Sequence, residues 1–231
     1  MLDSRLATTA ALIVLVGGSS IAAQAAFQYR EYTLESSVAA VLAVSPIRMS
    51  QPKTLHERPA SIQEVRWRAP YMGLGDERTD PVNEVLFSFY NDQLYQIVVT
   101  YDQGRMAGLT NDDVVSTLSA TYGAPLLRNT RTSHTPRDVD VRADMLIVAA
   151  WEDASSWLSL VRSSSAISPQ FQLVLISKRL NSPARSAILE ARRLDALEAP
   201  QRELERRAQA AAVAAKAEKK TREANKAAFR P

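Results

Sequence analysis

At 231 residues the chain has room for one folded domain with appendages, and its 46% hydrophobic and 23% charged composition is ordinary for a globular protein. The absence of cysteine excludes a disulfide framework, a thiol nucleophile, a cysteine-ligated zinc site and a lipid-modified N-terminal cysteine. The net charge of +3 is unevenly placed: Pro183–Pro231 holds twelve Lys/Arg against seven Asp/Glu, so the residues before it sum to −2. The basic character therefore belongs to a tail, and no patch interleaving cations with aromatics points to nucleic acid. Fourteen of the fifteen aromatic residues lie between Phe27 and Phe171, with only Phe229 beyond, which sets the expected end of the core near Leu180.

The N-terminus reads as an export signal over residues 1–25. Arg5 lies in a short polar start that also holds Asp3, Ala11–Val16 is an apolar run, and Ala23-Gln24-Ala25 has the small-x-small form of a cleavage site. The mature chain then begins at Ala26 or Phe27. The rival reading is an uncleaved anchor from Leu6 to Phe27, which Thr8, Thr9, Ser19, Ser20 and Gln24 dilute. Both readings place the body outside the cytoplasm, as a periplasmic or extracellular protein.

Next, Leu34, Val38, Val41 and Leu42 recur at helical spacing, which predicts a short helix over Leu34–Val44. Ile47–Pro59 reads as an irregular connector, Ser61–Arg68 as a half-buried strand with Val65 and Trp67 on one side, and Ala69–Asn83 as a loop. Glu84–Asp102 is the strongest signal in the chain. Val85, Phe87 and Phe89 alternate along one strand, and Tyr95, Ile97, Val99 and Tyr101 along the next. Asn91-Asp92 between them suits the left-handed backbone of a tight hairpin.

A second round follows. Thr110 with Asp113 forms an acidic capping box, Val114, Val115, Leu118 and Tyr122 make a buried stripe, and Gly123 and Pro125 end the helix. Arg128–Asp144 reads as a long polar loop. Met145–Glu152 and Ser156–Arg162 form a second hairpin, and Phe171–Ser177 a last strand. The expected fold is α+β: tandem α-βββ units over 27–180 sharing one antiparallel sheet, with helices on one face. After it, 183–231 predicts a charged, Ala-rich helical arm that starts at Ser182-Pro183 and is kinked at Pro200. Glu203–Arg207 and Glu218–Arg222 are i,i+4 pairs on that arm, which lacks a sustained coiled-coil seam.

The sequence holds no catalytic, metal-binding or cofactor-binding motif. His56 and His134 fall in separate predicted loops, there is no G-x-S-x-G elbow, P-loop or G-x-G-x-x-G, and Asp138, Asp140 and Asp144 lack the glycine and terminal glutamate of a calcium loop. Two candidate clusters remain. Arg128, Arg131, His134 and Arg137 form a candidate anion-binding loop, balanced by the aspartates that follow it. Tyr90, Trp151 and Trp157 sit near predicted turns, where aromatics either anchor a partner or close the ends of the core.

The helix ending in Tyr122-Gly123-Ala124-Pro125 and the hairpin through Trp151-Glu152-Asp153 resemble small exported bacterial α+β domains. The tandem layout is similar to the β-lactamase-inhibitor-protein-like fold, also seen in small lipoproteins of the outer-membrane assembly machinery. Through LHERPA, LFSFYNDQLYQIVVTYD and SPQFQLVLIS the chain also resembles uncharacterised exported bacterial proteins. The resemblance supplies no assigned activity and no interface residues; the expectation is an exported, non-enzymatic binding or scaffold module with a protein partner in the cell envelope. The second expectation is an envelope-anchored protein whose basic tail, 201–231, contacts an anionic membrane or cell-wall surface.

Overall fold

The computed structural model describes residues 26–44, 49–69, 80–128, 145–163, 170–228 and 230. The expected signal or anchor segment, Arg131, His134, Arg137 and the three aspartates after them lie outside the described residues.

A two-residue pairing, β1 (Gln28–Tyr29) with β2 (Tyr32–Thr33), leads into α1 (Val38–Val44). Then come β3 (Lys53–His56), β4 (Ile62–Arg68), β5 (Val82–Tyr90) and β6 (Gln93–Tyr101). Helix α2 (Asn111–Tyr122) opens a second set: β7 (Leu127–Arg128), β8 (Met145–Glu152), β9 (Ser156–Ser163) and β10 (Phe171–Ser177). The long helix α3 (Lys178–Ala228) ends the chain. All eight strands from β3 onward join one antiparallel sheet in the order β3-β4-β5-β6-β10-β9-β8-β7. The tandem α+β arrangement expected from the sequence is present, with four strands in each unit instead of three. The units meet at β6 and β10, their last strands, so the order mirrors about the middle of the sheet.

The register explains the core. Val65, Phe87, Ile97, Leu175, Leu158 and Trp151 are successive cross-strand partners from β4 to β8, and each is 0–1% exposed. Because side chains alternate along each strand, this row faces the same way as Val85, Val99, Leu173 and Leu160. Val41 of α1 and Val114 and Val115 of α2 cover that inner face. Each large side chain buried there contributes roughly 1.5–3 kcal/mol. Phe27, Tyr29 and Tyr32 also join it: the Phe27 ring meets Tyr122 edge-on at 5.4 Å, and Tyr32 leans on Phe87 at 4.6 Å.

The hairpin turn has the expected chemistry, with Asn91 at φ 47° and Asp92 at φ 64°. It also ties neighbours together: Asp92 accepts from the Val38 N–H at the start of α1, and Asn91 accepts from the Ser61 N–H before β4. The expected alternation of β6 is broken here. A register shift pairs Phe89 with Leu94 but Phe87 with Ile97, so Leu94 enters the inner core and Tyr95 turns to the opposite face. An extra residue in one strand reverses facing, which is the usual effect of a β-bulge.

Tyr95 is used by α3. Leu180, Ala184 and Ala187 pack onto Tyr95, Tyr90, Ala60 and Ile62 on the outer face. The helix begins at Lys178, before the Ser182-Pro183 start expected from sequence, because the Ser177 hydroxyl accepts the Leu180 N–H and caps it. It continues through Pro183 and Pro200. The folded body therefore extends past Leu180, through the α3 residues seated on the sheet.

Candidate functional site

The three aromatic candidates do not form one surface. Trp151 closes the inner row and is buried, its indole N–H donating to the Gly123 carbonyl at 2.8 Å, so of the two sequence readings it follows the core-closing one. Tyr90 is half-buried beneath α3. Trp157 is half-buried on the outer face, with the Lys178 ammonium 4.8 Å from its ring centre. Its cross-strand neighbour Glu152 holds the same ammonium at 2.5 Å, so this corner fixes the start of α3. Of the candidate anion loop, Arg128 contributes its backbone to β7 beside Ala149.

A groove that the sequence reading passed over lies at the β3 edge of the sheet. It encloses about 580 Å³ and is lined by Met49, Lys53, Glu64, Arg66, Arg68 and Leu86, among others. Glu64, Arg66 and Arg68 come from β4, where they alternate with Val65 and Trp67, and Lys53 comes from β3. Glu84 of β5 accepts from Arg68 at 2.8 Å and lies 3.5 Å from Arg66, holding both guanidiniums side by side. Lys53 and Glu64 are opposite each other across β3 and β4. Cations and carboxylates are interleaved, as at a polar contact surface. The signal available in the sequence was the Glu64-x-Arg66-x-Arg68 alternation.

The third feature is the distal part of α3. Just before Pro200 the helix is tied to the body by the Arg58–Glu198 ion pair at 3.0 Å, and His56 Nδ1 lies 3.5 Å from the Asp195 carboxylate. Arg202 reaches back to both the carbonyl and the carboxylate of Asp195, spanning Pro200, whose missing N–H weakens the helix there. From residue 201 to 228 every side chain except that of Glu203 is exposed. The thirty residues from 199 to 228 measure about 45 Å at the helical rise. Four large apolar side chains are exposed on α3: Leu189, Leu197, Leu204 and Val213, each 61–70% accessible. Glu203 pairs with Arg206 and Arg207, the latter as expected, whereas Glu218 and Arg222 do not pair. Lys216, Lys219, Lys220, Arg222 and Lys226 form no ion pair among the described residues.

Burial pushes the phenols of Tyr29 and Tyr101 up, Tyr101 to about 12, so neither gains or loses a proton near neutral pH. Among the described residues no group of three or more acidic or imidazole side chains is placed to hold a metal, and no helix is long and apolar enough to cross a membrane. Compared with known proteins, the chain matches no family model, no curated protein and no solved structure.

Proposed function

We propose that this chain is an exported, non-enzymatic binding protein whose α+β body is a platform and whose distal α3 is the contact element. The observation that carries the reading is the exposure of Leu204 and Val213 on the part of α3 beyond Glu198, with Leu189 and Leu197 also exposed on the part before it. A partner that covers them gains apolar burial at roughly 25 cal/mol per Å². The partner is a protein of the cell envelope, and the basic groove beside β3 is a second contact.

The test is crosslinking in native envelope with the full chain, a chain ending at Ala199, and a full chain carrying Leu204→Ser and Val213→Ser. Loss of one defined adduct in both altered proteins is expected. An adduct retained by both would move the function to the sheet.

A second reading is favoured by the unpaired distal cations. In it, residues 201–231 lie on an anionic membrane or cell-wall surface. It expects vesicle binding that weakens steeply between low and physiological salt, and that disappears on deletion of 201–231 but survives Leu204→Ser.

A further inference from the structure

The groove beside β3 holds cations whose hydrogen-bonding edges are largely unused. Glu84 meets only the Nε side of the two guanidiniums, 2.8 Å from Arg68 and 3.5 Å from Arg66. Their Nη groups make no hydrogen bond among the described residues. Lys53 and Glu64, opposite each other on β3 and β4, form no ion pair among the described residues. The wall that carries Arg66 is fixed: its N–H donates to the Ser50 hydroxyl at 2.9 Å, and its carbonyl accepts from the Ser50 N–H at 2.7 Å. Met49 and Leu86 add apolar surface to the lining, and the enclosed volume of about 580 Å³ falls within the roughly 300–1,000 Å³ of small-ligand sites.

The spacing of the two arginines selects the ligand. Arg66 and Arg68 are two residues apart on one strand, so they leave the same face roughly 6.5–7 Å apart along it. A second extended chain laid along β4 presents its alternate side chains at the same pitch. Carboxylates at those positions meet the guanidiniums one to one, each facing a pair of Nη donors in the bidentate geometry that favours arginine over lysine. We propose that this groove binds an extended acidic peptide of the partner, in which two glutamates separated by one residue pair with Arg66 and Arg68.

The methylenes of the glutamates rest on Met49 and Leu86, and Lys53 lies at the rim for a further acidic group. Glu64 in the lining and Glu84 behind the guanidiniums repel a polymer charged at every unit, so a short acidic motif fits better than a phosphate or sugar-acid chain or a lipid surface. The inference deepens the second contact of the proposed function and rests on that protein-binding reading.

The test titrates the full chain into a fluorescein-labelled seven-residue peptide with two glutamates flanking a valine, followed by anisotropy. A diglutamine counterpart and an isomer with adjacent glutamates serve as controls. Binding of the alternating peptide at least roughly tenfold tighter than either control is expected, with a loss of similar size in Arg68→Gln. Lys53→Gln, on the exposed edge strand, gives a smaller loss, and thermal melts identify variants that remain folded. No binding of the alternating peptide, folded variants that bind it as the parent does, or equal affinity for the adjacent isomer overturns the inference. So does competition by inorganic phosphate or phosphatidylglycerol vesicles as strong as that by unlabelled peptide, which makes the groove a general anion site. The envelope crosslink measures the binding reading separately. A defined adduct with failed peptide binding overturns the inference alone, and no adduct from any form of the chain overturns the reading on which it rests.

Discussion

Asp153 and Glu35 are carboxylates that join stretches of the chain distant in sequence. Asp153 holds Phe27, and Glu35 accepts from the Ser177 hydroxyl at 2.8 Å and from Arg179 at 2.7 Å, where the sheet passes into α3. Hydrogen bonds from Arg179 hold the Glu35 carboxyl below its ordinary value, against the opposing effect of burial. Burial alone would raise Asp153, but its donors outweigh that and lower it. Both folded-state values lie below the ordinary 3.8 and 4.5, so the stability they supply is fully present above pH 4.5 and is lost as pH falls through the lowered values. Thermal melts from pH 6 downward are expected to show this acid loss, and Glu35→Gln with Asp153→Asn to flatten it. A second residue-scale expectation concerns tryptophan. Trp151→Ala should cost about 3–5 kcal/mol in urea unfolding, as a large ring lost from a packed core. Trp157→Ala, at a half-exposed corner, should cost less than half of that. The sequence offered both tryptophans as equivalent turn aromatics. Within the β8–β9 hairpin Trp151 pairs with Leu158 and joins the inner core, whereas Trp157 pairs with Glu152 and takes the opposite face.

At the scale of elements, α2 was the most legible. Thr110 accepts from the Asp113 N–H at 3.2 Å and Asp113 accepts from the Thr110 N–H at 2.8 Å, so the capping box of the sequence is the one in the structure. Thr110→Ala is expected to lower unfolding free energy by about 0.5–2 kcal/mol. The hairpin turn was equally legible, because two adjacent left-handed residues suit few alternatives to Asn-Asp. Three other elements were not. The bulge that redirects Tyr95 depends on the partner strand, not on the alternation of its own residues. Strand β3, KTLH, lies at the sheet edge with no buried face, so no periodicity marks it. The start of α3 was misplaced because Ser177 serves at once as the last strand residue and as the helix cap, whereas Ser182-Pro183 has the more familiar form of a start. Of the candidate contact surfaces, the exposed Leu204 and Val213 were visible as isolated apolar residues in a charged tail. The groove needed β3, β4 and β5 side by side before its cations met.

For the molecule as a whole, the seat of α3 sets where the chain can be shortened. Ending it at Leu180 removes Ala184, Ala187 and Ala191, which are 0–7% exposed, and uncovers Tyr90, Tyr95 and Ile62. Ending it at Ala199 keeps these contacts and the Arg58–Glu198 pair. The longer truncation product is expected to melt within a few degrees of the full chain, and the shorter to be destabilised or insoluble, as circular dichroism would show. This separation allows the platform and the arm to be assayed apart.

The seam between β6 and β10 has a consequence for how the protein comes to be folded. Val99 faces Leu173 and Ile97 faces Leu175 across it, partners more than seventy positions apart, so the first unit must wait for the last strand of the second. Until β10 arrives, β6 is an open strand edge with hydrogen-bonding groups unfilled, and such edges recruit strands from other chains. A delay in synthesis leaves two copies free to trade their second halves. A singly folded chain and a half-exchanged dimer would then share every internal contact and differ only in which chain supplies β10.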